Sequence, residues 1–207
     1  MESKIPEFQD DYEKKSDTVI TIDGPSGAGK GTLAYFISET LELPNYSAGD
    51  FFRELAKEKD LTVEELSEQA DKETDMKVDR RTLEKGLEEN CVIESRISSW
   101  VLGGYSDFKI YVTADLGERA RRVYQDLEVD AREVEEGAST IEEVKEKIRK
   151  RDRDNKERYR EYYGIDVEDL EIYDLIIDNT DMDIKEQQEL VKKALKERFP
   201  QRFEEQK

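Results

Sequence analysis

The stretch Ile22-Asp23-Gly24-Pro25-Ser26-Gly27-Ala28-Gly29-Lys30-Gly31-Thr32 decides the fold. Before it, Thr18, Val19, Ile20, Thr21 and Ile22 have the β-branched composition of a buried strand. After it, Leu33, Tyr35, Phe36, Ile37 and Leu41 recur with roughly helical spacing. A strand running through a glycine loop into a helix is the context of a phosphate-binding loop. Its glycines let successive N–H groups curl toward an anion, and the helix adds the positive end of its dipole. Lys30 then extends toward the terminal phosphates, with Gly24, Gly29 and Lys30 at the required spacing.

The position after the lysine departs from the general pattern. A magnesium-ligating Ser or Thr belongs there, and this chain has Gly31, with Thr32 one residue later. The metal is therefore expected to be held mainly by phosphate oxygens and water, with Asp23 or Glu94 as outer-shell carboxylates and no dedicated protein ligand. Lys-Gly-Thr in this slot resembles the nucleoside monophosphate kinases more than the GTPase switches.

Outward from the loop, the chain alternates short apolar runs with longer amphipathic ones. Pro44-Asn45-Tyr46-Ser47 reads as a turn into a second strand, and Gly49-Asp50 as the start of a helix. Leu61 to Leu87 reads as helical, opened by a capping box at Thr62-Val63-Glu64-Glu65. Further strands are expected at Cys91 to Glu94, Phe108 to Val112 and Asp174 to Asp178. Helices are expected at Asp115 to Leu127, Thr140 to Tyr163 and Ile184 to Phe199. This alternation predicts an α/β fold with a doubly wound parallel sheet of five strands, helices on both faces and ligands at the carboxyl ends of the strands. Residues 1–17 form a polar extension, and residues 18–207 a single domain.

Composition removes several chemistries. Histidine is absent, which excludes imidazole acid–base catalysis, Ser-His triads and histidine metal sites. Cys91, the single cysteine, lies in an apolar run and reads as a buried inert thiol. A net charge of −19 repels polyanions, so neither nucleic acid nor an anionic membrane is an expected partner. The acidity is either that of a solvated surface or an adaptation to a salty cytoplasm. With no apolar run of spanning length and no leader, a cytoplasmic monomer is expected.

In so acidic a chain, arginines at strand ends carry information. Arg96 directly follows the third strand, and its planar fork suits a phosphate. Arg53 stands at the start of the second helix, after a Ser47-Ala48-Gly49-Asp50 turn that offers hydroxyl, carboxylate and backbone groups to a sugar or base. Arg80 and Arg81 suit either a ligand or neighbouring carboxylates. Arg151 and Arg158, seven residues apart, share one helical face and suit a closing lid, although surface ion pairs are the plainer alternative.

Taken together, these segments resemble the cytidylate kinases, especially the shorter archaeal type, from about Thr18 to about Ala194. Gly24 to Thr32, Tyr46 to Ala56 and Val92 to Ile97 are similar to the family's donor loop and monophosphate site. Tyr163-Gly164-Ile165-Asp166 and Ile172 to Ile177 are similar to the archaeal approach to the last strand. The resemblance implies a P-loop NTPase fold with a monophosphate-binding insert at about 48–90 and a lid at about 128–163. It implies magnesium ATP as phosphoryl donor, bound by Gly24, Pro25, Ser26, Gly27, Ala28, Gly29, Lys30, Gly31 and Thr32. CMP and dCMP are the implied acceptors, held by Ser47, Asp50, Arg53, Arg81 and Arg96, with Arg80 an equal choice beside Arg81. Lys30, Arg96, Arg151 and Arg158 are the implied catalytic set. Asn155 departs from the carboxylate or serine common in the lid, and Glu128 to Ser139 is longer than in close relatives. The chain also lacks an adenylate kinase's Gly-Phe-Pro-Arg segment. The alternatives are a UMP or AMP kinase, or a nucleotide-dependent assembly factor on the same fold.

Overall fold

The computed structural model describes residues 13–62, 65–66, 69, 71–128 and 140–204. Residues 1–12 of the polar extension and 129–139 of the lengthened segment lie outside the described residues. Five parallel strands form one sheet in the order β2-β3-β1-β4-β5: β1 Val19–Asp23, β2 Asn45–Ser47, β3 Cys91–Glu94, β4 Phe108–Thr113 and β5 Leu175–Asp178. The central strand β1 is buried along its whole length, as its β-branched run requires. Ile20 lies opposite Val92 on one side and Phe108 on the other, and Ile22 opposite Glu94 and Ile110.

Helices cover both faces. On one, α1 (Lys30–Leu41) and α7 (Ile184–Arg198) bury Leu33, Ile37, Val191 and Leu195 against Ile20, Ile22, Val92 and Ile110. On the other, α3 (Lys72–Glu88), the short α4 (Ser98–Leu102) and the end of α6 (Ile141–Tyr163) bury Leu83, Leu87, Leu102, Tyr159 and Tyr163 against Val19, Cys91 and Ile93. Close packing of this second layer is visible at Gly86, where a Cβ would come within 2.5 Å of Leu102 Cδ2. Two satellite cores complete the chain. Phe51 and Leu55 of α2 (Ala48–Glu58) pack with Leu66 and Val78, and α5 (Leu116–Glu128) meets α6 through Ala120, Val123, Val144 and Ile148. The chain ends in α8 (Pro200–Glu204).

The helical reading of Leu61 to Leu87 needs one correction. The capping box is present, with Thr62 N donating to Glu65 Oε2 (2.8 Å) and Glu65 N to Thr62 Oγ1 (3.1 Å). A separate helix nevertheless starts at Lys72, because Asp71 has extended backbone and accepts from Thr74 N at 2.9 Å. That side chain satisfies one of the open donors of a new helix, which a residue inside a continuous helix cannot do. The short α4 and α8 were not legible in the pattern. The last residues of the polar extension are tied down, with Lys14 on Asp107 (2.6 Å) and Ser16 Oγ on Gly86 O (2.6 Å).

Candidate active site

The glycine loop leaves the carboxyl end of β1 with positive φ at Gly24 (152°), Gly27 (78°) and Gly29 (89°). Two of these positions exclude any other residue on space as well. A Cβ on Gly24 would lie 2.0 Å from Val112 O, and one on Gly27 2.7 Å from Arg119 O. The loop's carbonyls are held from outside: Arg119 Nη1 donates to Ser26 O (3.1 Å) and Asn179 Nδ2 to Ala28 O (3.0 Å). Ser47, Asp71, Thr140 and Asp183 cap α2, α3, α6 and α7 through their side chains, whereas α1 begins at left-handed Gly29 with no side-chain cap. Its first N–H groups thus keep their capacity for an anion.

Lys30 folds over the loop and donates to Pro25 O at 2.9 Å. Enclosure by the surrounding chain pushes its ammonium down to about 8, Glu94 opposes that shift, and Arg96 and Arg151 reinforce it. The structure therefore brings Glu94, Arg96 and Arg151, from β3, the turn after β3 and α6, within electrostatic reach of Lys30 on α1. Glu94 in turn accepts from Ser47 Oγ at 2.7 Å, which ties the end of β2 to the end of β3.

Behind this cluster stands a buried polar layer. Asp75 and Asp79 of α3 and Asn155 of α6 are each at most 9% exposed. Asp75 Oδ2 lies 2.8 Å from Arg158 Nε, whose Nη2 donates to Asn155 Oδ1 at 2.9 Å. Tyr163 donates to Asp79 at 2.5 Å, and burial pushes the Asp79 carboxyl up to about 7. Arg96 Nε, Asp75 Oδ2, Arg158 Nε and Asn155 Nδ2 are buried without hydrogen-bond partners. Arg81 Nη1, Trp100 Nε1 and Gln187 Nε2 are likewise buried without hydrogen-bond partners, but only the first four atoms belong to side chains coupled to one another through Asp75 and Arg158.

The remaining expected residues are spread out. Arg53 pairs with Asp50 at 2.5 Å, both exposed at the start of α2. Arg81 turns to α2, pairing with Glu58 (2.6 Å) and Glu54 (3.7 Å), which is the carboxylate pairing named as its alternative. Arg80 is exposed. Asp23, one of the two outer-shell carboxylates considered, is fully buried and accepts from Ser98 Oγ (2.6 Å), Ser99 N (2.9 Å) and Tyr173 Oη (3.0 Å). These three donors occupy it as a brace between β1, α4 and the approach to β5. Glu94, beside Lys30, fits the outer-shell part better. Among the described residues no cluster of three or more His, Cys, Asp or Glu side chains offers a metal cage. Arg119, Asn179 and Asp75 are functional candidates that residue spacing missed. The only available signal for the first two was their position just past β4 and β5.

The loop, the open helix end behind it and the parallel sheet order define a P-loop phosphate-binding protein of the small-molecule kinase type. Shikimate kinase from Bacteroides thetaiotaomicron has the same fold, with a TM-score of 0.63 at 16% identity over 86% of this chain and 97% of that one. The chain belongs to the cytidylate kinase-like family, whose model matches residues 19–181. The cytidylate kinase of Staphylothermus marinus is 37% identical over 185 residues, covering 86% of this chain and 99% of that protein. That of Pyrococcus horikoshii is 40% identical over 168 residues, covering 80% and 82%. No helix among the described residues is long and apolar enough to cross a membrane.

Proposed function

We propose that the protein transfers the γ-phosphoryl group of ATP to CMP, and also to dCMP, yielding ADP and CDP or dCDP. One observation carries the reading: in a chain of net charge −19, Arg96 and Arg151 lie within electrostatic reach of Lys30, which stands at the open N-terminus of α1. Glu94 and Asp23 offset part of the repulsion among these cations, and bound phosphates would offset more of it. The loop from Gly24 to Thr32 holds the donor phosphates by backbone N–H groups, and Lys30 leaves Pro25 O for their terminal oxygens. Ser47, Asp50 and Arg53 border the acceptor, Arg81 joins them by leaving Glu58 and Glu54 for the acceptor phosphate, and Arg96 grips that phosphate.

Arg151 and Arg158 come from the lid, the segment around α6, and stabilise the charge that spreads over the equatorial oxygens of the transferring group. The acceptor phosphate oxygen attacks the γ-phosphorus in line and the bond to the β-phosphate oxygen breaks, so no covalent enzyme intermediate is needed. Magnesium, when bound, neutralises phosphate charge. Closure of the segment about 128–163 over the insert about 48–90 excludes water.

Steady-state transfer from ATP to CMP, dCMP, UMP and AMP, at low and high potassium chloride, tests the reading. CMP and dCMP are expected to lead. Lys30→Ala and Arg96→Ala are each expected to lose roughly two to three orders of magnitude in kcat with circular dichroism unchanged. A doubly substituted enzyme with unimpaired turnover would refute this site. ATP hydrolysis without any preferred acceptor would favour an assembly factor.

A further inference from the structure

The buried polar layer on α3 and α6 holds an arrangement that phosphate binding does not explain. Asp75 is a carboxylate facing two guanidinium groups: Arg158 at 2.8 Å, and Arg96 near enough to act on it electrostatically. The Asp75–Arg158 contact nevertheless lacks hydrogen-bond geometry, and both of its atoms are left without a hydrogen-bond partner. A buried carboxylate oxygen that has an ion contact but no hydrogen bond is costly, and a ligand's donor would complete it. The same holds for Asn155 Nδ2, whose sister oxygen is taken by Arg158.

Arg96 lies within electrostatic reach of both Lys30, at the donor loop, and Asp75, which stands on α3 in the segment about 48–90 read as the acceptor insert. A mononucleotide whose phosphate is gripped at Arg96 has its base on the side away from the donor. On the acceptor insert Asp75 offers a base an acceptor-only group, and an acceptor-only group distinguishes the two pyrimidines: cytosine carries an exocyclic amine where uracil carries an oxygen. A carboxylate oxygen hydrogen-bonds the first and repels the second.

Resting on the reading that the acceptor is a pyrimidine monophosphate, we propose that Asp75 is the base-reading residue, accepting the exocyclic amine of cytosine in the position that Arg158 Nε occupies in this structure. The base amine then releases Arg158 from Asp75 and frees its guanidinium for the transferring phosphoryl group. Recognition of the base and arming of the lid arginine become one event. A wrong base leaves Arg158 on Asp75, so discrimination shows in kcat as well as KM.

The experiment compares kcat and KM for CMP and UMP in the wild type, Asp75→Asn and Asp75→Ala, with melting temperature and circular dichroism recorded for each. Asp75→Ala is expected to lower kcat/KM for CMP by roughly 100-fold or more and to change UMP by no more than about threefold, so that the CMP/UMP ratio collapses. The near-isosteric Asp75→Asn keeps an acceptor for the amine and gains a donor for the uracil oxygen. It is expected to retain most CMP turnover and raise that on UMP about tenfold or more. A merely structural Asp75 would depress both substrates alike. A CMP-selective wild type whose CMP/UMP ratio survives both substitutions overturns this inference alone. A wild type that prefers UMP or AMP overturns the functional reading and the inference with it. If Asp75→Ala fails to fold, the direction of the ratio in Asp75→Asn decides.

Discussion

Gly24→Ala tests the claim that the phosphate loop is built by backbone approach as much as by sequence motif. Gly24 sits at φ 152°, and a Cβ there would stand 2.0 Å from Val112 O and 3.1 Å from Val112 C. Both obstacles are backbone, fixed by the β1–β4 ladder in which Asp23 lies opposite Tyr111. No side chain can rotate away, so the loop must lift from the end of β4 by more than about 1 Å to restore ordinary contact. Unfavourable backbone costs about 1–3 kcal/mol and overpacking another 1–3, which together give roughly 2–6 kcal/mol. At about 2–4 °C per kcal/mol for a chain of this size, the melting temperature should fall by roughly 4–24 °C, and ATP binding should weaken because the N–H groups no longer converge. Gly31→Ala is the control: it lies inside α1 with nothing within 4 Å of its Cβ. It should leave stability unchanged or raise it by up to about 1 kcal/mol. Thermal melts and calorimetric ATP titration read both. A Gly24→Ala protein melting within 2 °C of the wild type, with unaltered ATP affinity, would show that the approach to Val112 does not constrain the loop.

Two further outcomes follow from the buried charges. With its ammonium depressed to about 8, Lys30 is largely deprotonated at pH 8.5 in the free protein and is recharged by bound polyphosphate. ATP binding at pH 8.5 should therefore take up roughly 0.7 proton, and almost none at pH 6.5, in calorimetry across buffers of different ionisation enthalpy; equal uptake by Lys30→Met would contradict this. Burial raises Asp79 from 3.8 to about 7, so the folded state favours its proton. The associated stability is present below pH 4 and is lost as pH rises through 7, by up to about 4 kcal/mol. Urea unfolding of the wild type minus that of Asp79→Asn should show this slope between pH 4 and 7, and a flat difference would place the proton elsewhere.

The donor half of the site was legible because its chemistry is local. A β-branched run must be buried, glycines must take positive φ, and a helix must start where the loop ends, so Ile20, Gly24 and Lys30 announce their roles within a dozen residues. That the sheet is parallel followed from the alternation of elements, since parallel strands need crossovers of this length, whereas the strand order is seen only in the structure. The acceptor half depends on which face of a polar helix turns inward, and charge patterning hides that. Asp75 and Asp79 lie in a helix rich in Lys, Glu and Asp whose pattern reads as solvated, yet both are buried because Tyr163 and Arg158 arrive from α6, more than seventy residues later.

Asp71 was hidden for the opposite reason. It is one acidic residue in a helical run, and only its cap on Thr74 separates two helices. Arg81 shows the limit of counting arginines. In an acidic chain a cation is informative only if carboxylates leave it unclaimed, and Glu54 and Glu58 claim this one. Asp75 is an acidic residue left over in the same sense. Its nearest cation contacts it without a hydrogen bond, so the site holds a charge pair whose carboxylate oxygen can still accept from a better-aligned donor. An unfinished buried interaction of this kind is visible only in three dimensions, and it separates a residue that holds the fold from one that waits for a substrate.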